Sequence, residues 1–265
     1  MRKKTLYIIL FVVCVIGFWV FENFYTPASY SNPRSGNAEM ATTDFLPSST
    51  TGAIVRHNFF VLSYSEPYEQ AEWVAYELKK SHLTQDDRKR PFFIEDPYVK
   101  TKSADWRNYR GSGYDRGHLC PAGDRRFSEY AYNETFYTSN ISPQDRNFNA
   151  GVWNRLEQQV RHWCKKYGDL TVITGGVLEP GLEEIGEEDV DVPKTFYKIV
   201  VAKIGGSTKI LAFLIPNRET DLPLENFLVP VNEIELRTGI DFFEKQSTQW
   251  QEEFESKVDS LGWKF

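Results

Sequence analysis

An excess of positive charge is missing from this chain: 31 Lys and Arg against 37 Asp and Glu leave a formal net charge of −6 over 265 residues. That balance excludes a protein that holds nucleic acid through a broad basic coat, because such affinity comes from cations laid along the phosphate backbone. It leaves room for a catalyst that needs only a few arginines around one phosphate and must release its products. Internal repeats are also lacking, which excludes a solenoid or propeller. Cysteine is scarce, with three in the chain, and only one long hydrophobic run occurs. What is plentiful is aromatic mass: 19 Phe, 14 Tyr and 7 Trp within a 41% hydrophobic composition, enough to offset chain entropy over most of the length.

The single long run lies at the start. Arg2, Lys3 and Lys4 precede an apolar stretch from Leu6 to Phe21 that ends at Glu22, so residues 1–25 read as a signal anchor or a signal peptide. No Ala-x-Ala pattern follows, and Cys14 lacks the small neighbours of a lipidated cysteine, which favours an uncleaved anchor. Basic residues stay on the inner side, so the remainder is expected to be extracytoplasmic, membrane-anchored by the N-terminal helix or secreted or periplasmic after cleavage. Residues 26–51, rich in Ser, Thr, Pro, Asn and Gly, read as a flexible linker, and 52–265 as one domain.

Within that domain Val61 to Tyr64 reads as a strand, and Tyr68 to Lys80, with Ala71, Val74, Ala75 and Leu78, has the spacing of a helix face. Phe136–Ile141, Leu170–Thr174, Phe196–Ile204 and Lys209–Ile215 are β-branched and aromatic and read as strands. Gly205-Gly206-Ser207-Thr208 makes a hairpin the natural link between the last two. Strands without regularly interleaved helices predict an α+β fold with a mixed or antiparallel central sheet and flanking helices.

Chemistry concentrates in three stretches: Tyr114-Asp115-Arg116-Gly117-His118-Leu119-Cys120-Pro121, Ser139-Asn140-Ile141-Ser142-Pro143-Gln144, and Asn147-Phe148-Asn149-Ala150-Gly151-Val152-Trp153-Asn154-Arg155-Leu156-Glu157. Phosphodiester hydrolysis needs a base for water, a cation for the transition-state charge, and stabilisation of the leaving oxygen. Imidazole suits the first task. Magnesium suits the other two and accepts a neutral amide oxygen while keeping its waters, which Asn149 can offer, either as ligand or as cap of the following helix. Trp153, Leu156, Val160 and Trp163 follow helical spacing. Glu157, about 12 Å along such a helix from Asn149, can reach metal-bound water or can simply pair with Arg161 at i,i+4. The His118-Leu119-Cys120 and His162-Trp163-Cys164 pairs do not make a zinc site, since 162 and 164 lie about 200° apart around a helix. Cys120 and Cys164 are either a disulfide or buried thiols. The acidic run Glu183 to Asp191 has no ordered ligand pattern and reads as a solvated loop.

These stretches resemble the DNA/RNA non-specific endonuclease family of the ββα-metal, or His-Me finger, class, and the similarity extends over residues 53–245. The resemblance implies a general base at His118, a site-lining Arg116, a metal ligand at Asn149, support from Glu157, and a catalytic Asn140. It also implies phosphate contacts from Arg161 and from Arg90 or Arg88. A ββα-metal active site, a magnesium cofactor with manganese able to substitute, and internal cutting of DNA and RNA to 5′-phosphate and 3′-hydroxyl ends follow from it. The implied partners are nucleic acid, the membrane through an uncleaved N-terminal segment, and a second copy of the chain as an open option. The alternative is a tethered, non-catalytic binding domain that keeps the fold.

Overall fold

The computed structural model describes residues 3–24 and 45–265. The chain forms two units, 1–31 and 32–265. The first contains helix α1 (Lys3–Phe24), in which Lys3–Phe21 is long and apolar enough to cross a membrane. Most of the expected linker lies outside the described residues. Residues 45–51, assigned to it from composition, are instead stitched into the second unit. Leu46 is buried, the Ser48 carbonyl accepts from Trp73 Nε1 at 2.8 Å, and Thr50 N donates to Glu72 at 3.0 Å. Their polar character serves hydrogen bonds to the domain rather than solvation.

The second unit is built on a seven-stranded sheet. Its strands are β1 (Ile54–Arg56), β2 (Val61–Ser65), β3 (Gln70–Leu78), β6 (Leu170–Gly176), β9 (Thr195–Ile204), β10 (Ser207–Pro216) and β11 (Leu228–Val229). They lie side by side in that order, every pair antiparallel. Two short ribbons stand apart: β4 (Asp115–His118) with β5 (Ile141–Gln144), and β7 (Glu183–Ile185) with β8 (Val190–Val192). The acidic run read as a loop therefore forms a hairpin. The helices are α2 (Glu129–Glu134), α3 (Arg146–Phe148), α4 (Asn154–Tyr167), α5 (Val231–Thr238) and α6 (Thr248–Glu255).

Both faces of the sheet are covered. Along β9, Phe196, Val200 and Ala202 join Leu156, Val160 and Trp163 of α4 in one core. Tyr197, Ile199 and Val201 join Val231 and Ile234 of α5 in the other. Lys198 points to the α4 side, a lone charge in an apolar row. Between β9 and β10 the register Ile204↔Ser207 leaves a two-residue loop, Gly205 and Gly206, both at positive φ (61° and 84°), where glycine avoids the Cβ penalty.

Two expectations fail here. Most of Tyr68–Lys80 is the interior strand β3, not a helix: Ala71, Val74, Tyr76 and Leu78 face one core while Trp73 and Ala75 face the other. With both faces buried no polar alternation survives, and the remaining apolar spacing imitates a helical one. Phe136–Ile141 is not a strand either; a 3-10 turn occupies Thr138–Asn140, and extended pairing begins only at Ile141.

Candidate active site

The β4–β5 ribbon carries His118 opposite Ile141 and Asp115 opposite Gln144. A Cβ at Gly117 would lie 2.2 Å from Gln144 Cδ, so the glycine leaves room for the buried Gln144 side chain across the ribbon. Fully buried Asn140 locks the ribbon's end. Its Oδ1 accepts from Cys120 N at 2.8 Å, and its Nδ2 donates to Cys120 O at 3.0 Å and Thr135 O at 2.9 Å. These three bonds go to backbone, so Asn140 holds the segment after His118 in place and is not itself arranged to touch a reactant.

His118 lies beside Phe93 (ring centroids 5.6 Å) and Phe136 (4.8 Å, edge-on). Its Nε2 is sealed and makes no hydrogen bond among the described residues. Burial first, then the charges of Arg90 and Arg116, push the imidazole down to about 3, so it is neutral at physiological pH. Arg116 shares the His118 face of β4 and stacks over Phe93 (4.7 Å) and Trp106 (5.8 Å). Arg90 stacks over Phe93 (5.4 Å) and Phe136 (5.8 Å). Neither guanidinium makes an ion pair among the described residues. Arg88, the alternative to Arg90, is turned away, with its Nε donating to Arg126 O and its Nη2 to Asp86.

Asn149 is not the cap at the start of a helix. Asp145 caps instead, accepting from Asn147 N and Phe148 N at 2.9 Å each, so the helical run begins at Arg146, three residues earlier than Asn149. Asn149 opens a π-type turn, Asn149–Trp153, that kinks at Gly151 (φ −97°, ψ −108°) before α4. Its Nδ2 donates to Asp115 Oδ2 at 3.1 Å, which orients the amide and leaves Oδ1 without a hydrogen bond. A neutral, oriented oxygen beside a carboxylate is a donor set suited to a hard, hydrated cation.

Behind it, Glu157 and Arg161 approach only to 3.9 Å, while Arg161 Nη1 makes its close bond to Asp124 Oδ1 at 2.8 Å. Asp124 also accepts from Tyr76 OH at 3.0 Å. At least part of the Arg161 guanidinium is therefore spent inward, contrary to a simple phosphate-contacting role. Burial raises Glu157 to about 7, with Lys198 the main group drawing it back. Lys198 is fully buried, its Nζ has no hydrogen bond among the described residues, and it sits 4.5 Å from the Trp153 ring. Sequence reasoning missed Lys198, Asp124 and Asp115. A charge inside the apolar row Phe196–Val201 was the visible signal for the first. The expected alternative of a Cys120–Cys164 disulfide is not formed: both are buried free thiols, and Cys164 Sγ donates to Leu78 O.

Residues 37–249 match the sequence profile of the DNA/RNA non-specific endonuclease family. The mitochondrial nuclease EXOG of Danio rerio is 37% identical over 200 residues, covering 69% of this chain and 58% of that protein. Human mitochondrial endonuclease G is 36% identical over 201 residues, covering 69% and 67%. A solved structure of an EndoG/EndoGI complex matches with a TM-score of 0.67 at 32% identity, over 73% of this chain and 86% of that one. The chain thus spans under two thirds of the EXOG relative. These relatives overturn the extracytoplasmic expectation and point to a mitochondrial setting, since a basic start followed by an apolar run specifies membrane insertion but not which membrane. With four fifths of its length matched and its site stretches assembled in one place, the chain belongs to the DNA/RNA non-specific endonuclease family.

Proposed function

We propose that this chain is a magnesium-dependent endonuclease that hydrolyses phosphodiester bonds in DNA and RNA, leaving 5′-phosphate and 3′-hydroxyl ends. The observation that carries the proposal is a neutral His118 imidazole flanked by two guanidiniums, Arg90 and Arg116, that lack acidic partners. Because Nε2 is sealed, Nδ1 is the nitrogen that takes the proton from water. The low basicity keeps it unprotonated across the whole neutral range at the expense of proton-transfer driving force, which substrate and cation binding must offset. Arg90 and Arg116 hold the scissile phosphate, and their rings-backed placement limits the entropy lost on binding. Asn149 Oδ1, aimed by Asp115, holds magnesium, with manganese able to substitute. A cation held there would supply charge neutralisation for the phosphate and the departing 3′ oxygen. Glu157 orients water around that cation from α4.

The test is cleavage of plasmid, single-stranded DNA and RNA by the full chain in detergent. Activity is expected with magnesium or manganese and is lost on chelation. His118→Ala abolishes it, and Asn149→Ala lowers it by several orders of magnitude with the melting temperature retained. Equal activity of wild type and His118→Ala, or inertness on every polymer, refutes the mechanism.

A further inference from the structure

Three segments outside the active site converge at the far end of the chain. Glu235 lies in α5, Asp241 in the turn after it, and Glu255 is the last residue of α6, beyond the stretch matched by the family. One carboxylate oxygen from each lies within 4.8 Å of those of the other two. Glu235 Oε1 accepts from Phe242 N at 3.0 Å, and Asp241 Oδ1 from Phe243 N at 3.0 Å and Gln251 Nε2 at 3.4 Å. Each therefore keeps its second oxygen without a hydrogen bond among the described residues. Glu255 is only 5% exposed, and its Oε1 is sealed with no partner among the described residues. No ion pair reaches any of the three carboxylates among the described residues.

A buried, unpartnered carboxylate within reach of two other acids is costly unless a proton or a cation offsets it. The donor set is all oxygen, triply anionic, and drawn from separate segments. Calcium, which takes six to eight oxygens in irregular geometry, suits it; zinc, which favours nitrogen and sulfur, does not. We infer that Glu235, Asp241 and Glu255 form a calcium-type divalent-cation site that braces α5, its following turn and α6. The same turn is tied to residues 45–51 at the start of the second unit's described part, Asp241 O accepting from Ser48 N at 2.8 Å and Asp241 N donating to Ser48 Oγ at 2.9 Å. Occupancy therefore fastens both ends of the domain together.

The experiment is thermal denaturation and calorimetric titration of the full chain, chelated and then supplied with calcium chloride. Wild type and Asn149→Ala are expected to gain about 6 °C in Tm at calcium a hundredfold above its Kd. Glu255→Gln and Asp241→Asn lose that gain while magnesium-supported cleavage by Glu255→Gln is unchanged. An equal calcium shift in wild type and both variants overturns the site. So does the absence of any calcium shift in wild type, including the case where chelated Glu255→Gln melts higher because mutual repulsion has been relieved.

Discussion

Replacing Lys198 with methionine separates the two consequences of a buried charge pair. Lys198 Nζ is sealed with no hydrogen bond, and burial lowers its affinity for a proton while Glu157 restores part of it. Methionine keeps the volume and the contact with Trp153 but removes the charge that most strongly draws Glu157 back from its burial-raised value of about 7. If Glu157 rises by about one further unit, its ionised share at pH 7 falls from about a half to about a tenth. Plasmid cleavage at pH 7 then falls about fivefold and recovers by pH 9. Stability falls as well, because removing one member of a buried pair leaves the Glu157 carboxylate uncompensated, a loss of about 3–5 kcal/mol where Glu157 is ionised and less where it is protonated. Cleavage rates from pH 6 to pH 9 and urea midpoints of both proteins provide the assay. Superimposable pH profiles would refute the argument, since Lys198 would then carry no charge that Glu157 senses.

Two further outcomes follow from the same geometry. His118 binds its proton at about 3 when folded against 6.5 when exposed, so the unfolded chain takes up that proton first as pH falls. Its contribution to stability is complete above about pH 7 and is lost toward pH 3, at up to about 1.4 kcal/mol per pH unit. The raised carboxyls of Glu157 and Glu69 act in the opposite sense between about pH 7 and 4.5. The readout is therefore the difference between wild type and His118→Gln in urea denaturation at pH 7, 6 and 5, with the variant less acid-sensitive; identical slopes contradict it. Asn140→Ala strands Cys120 N, Cys120 O and Thr135 O in a sealed interior and should cost about 4 kcal/mol, with activity falling alongside; a midpoint within error of wild type contradicts the clamp.

The parts legible in the sequence were those whose signal is local. Gly205-Gly206 marked the β9–β10 turn, and Trp153, Leu156, Val160 and Trp163 marked the α4 face that packs on the sheet. The positions of His118, Asn149 and Glu157 stood out through their motifs. What stayed hidden depends on distant partners. β3 lost its alternation because strands and helices cover both its faces. Asp145 was overlooked as the cap because Asn149 is an equally good capping residue by type. Arg161 turns inward because Asp124, far away in the chain, is there to receive it. The choice between Arg88 and Arg90 needed the rings of Phe93 and Phe136, whose arrangement no spacing encodes.

The β4–β5 ribbon stands outside the seven-stranded sheet, and side-chain bonds tether it: the Asn140 clamp, Asn149 Nδ2 to Asp115 Oδ2 at 3.1 Å, Arg146 Nε to Asp115 Oδ1 at 3.4 Å, Ser142 Oγ to Gln70 Oε1 at 2.6 Å, and Asn217 Nδ2 to Pro143 O at 3.2 Å. It works as a jaw bolted onto a frame at a handful of points, so loosening the bolts leaves the frame standing. Heating should therefore silence the chemistry several degrees before the sheet melts, and amide exchange in 115–118 and 141–144 should outrun that in β9.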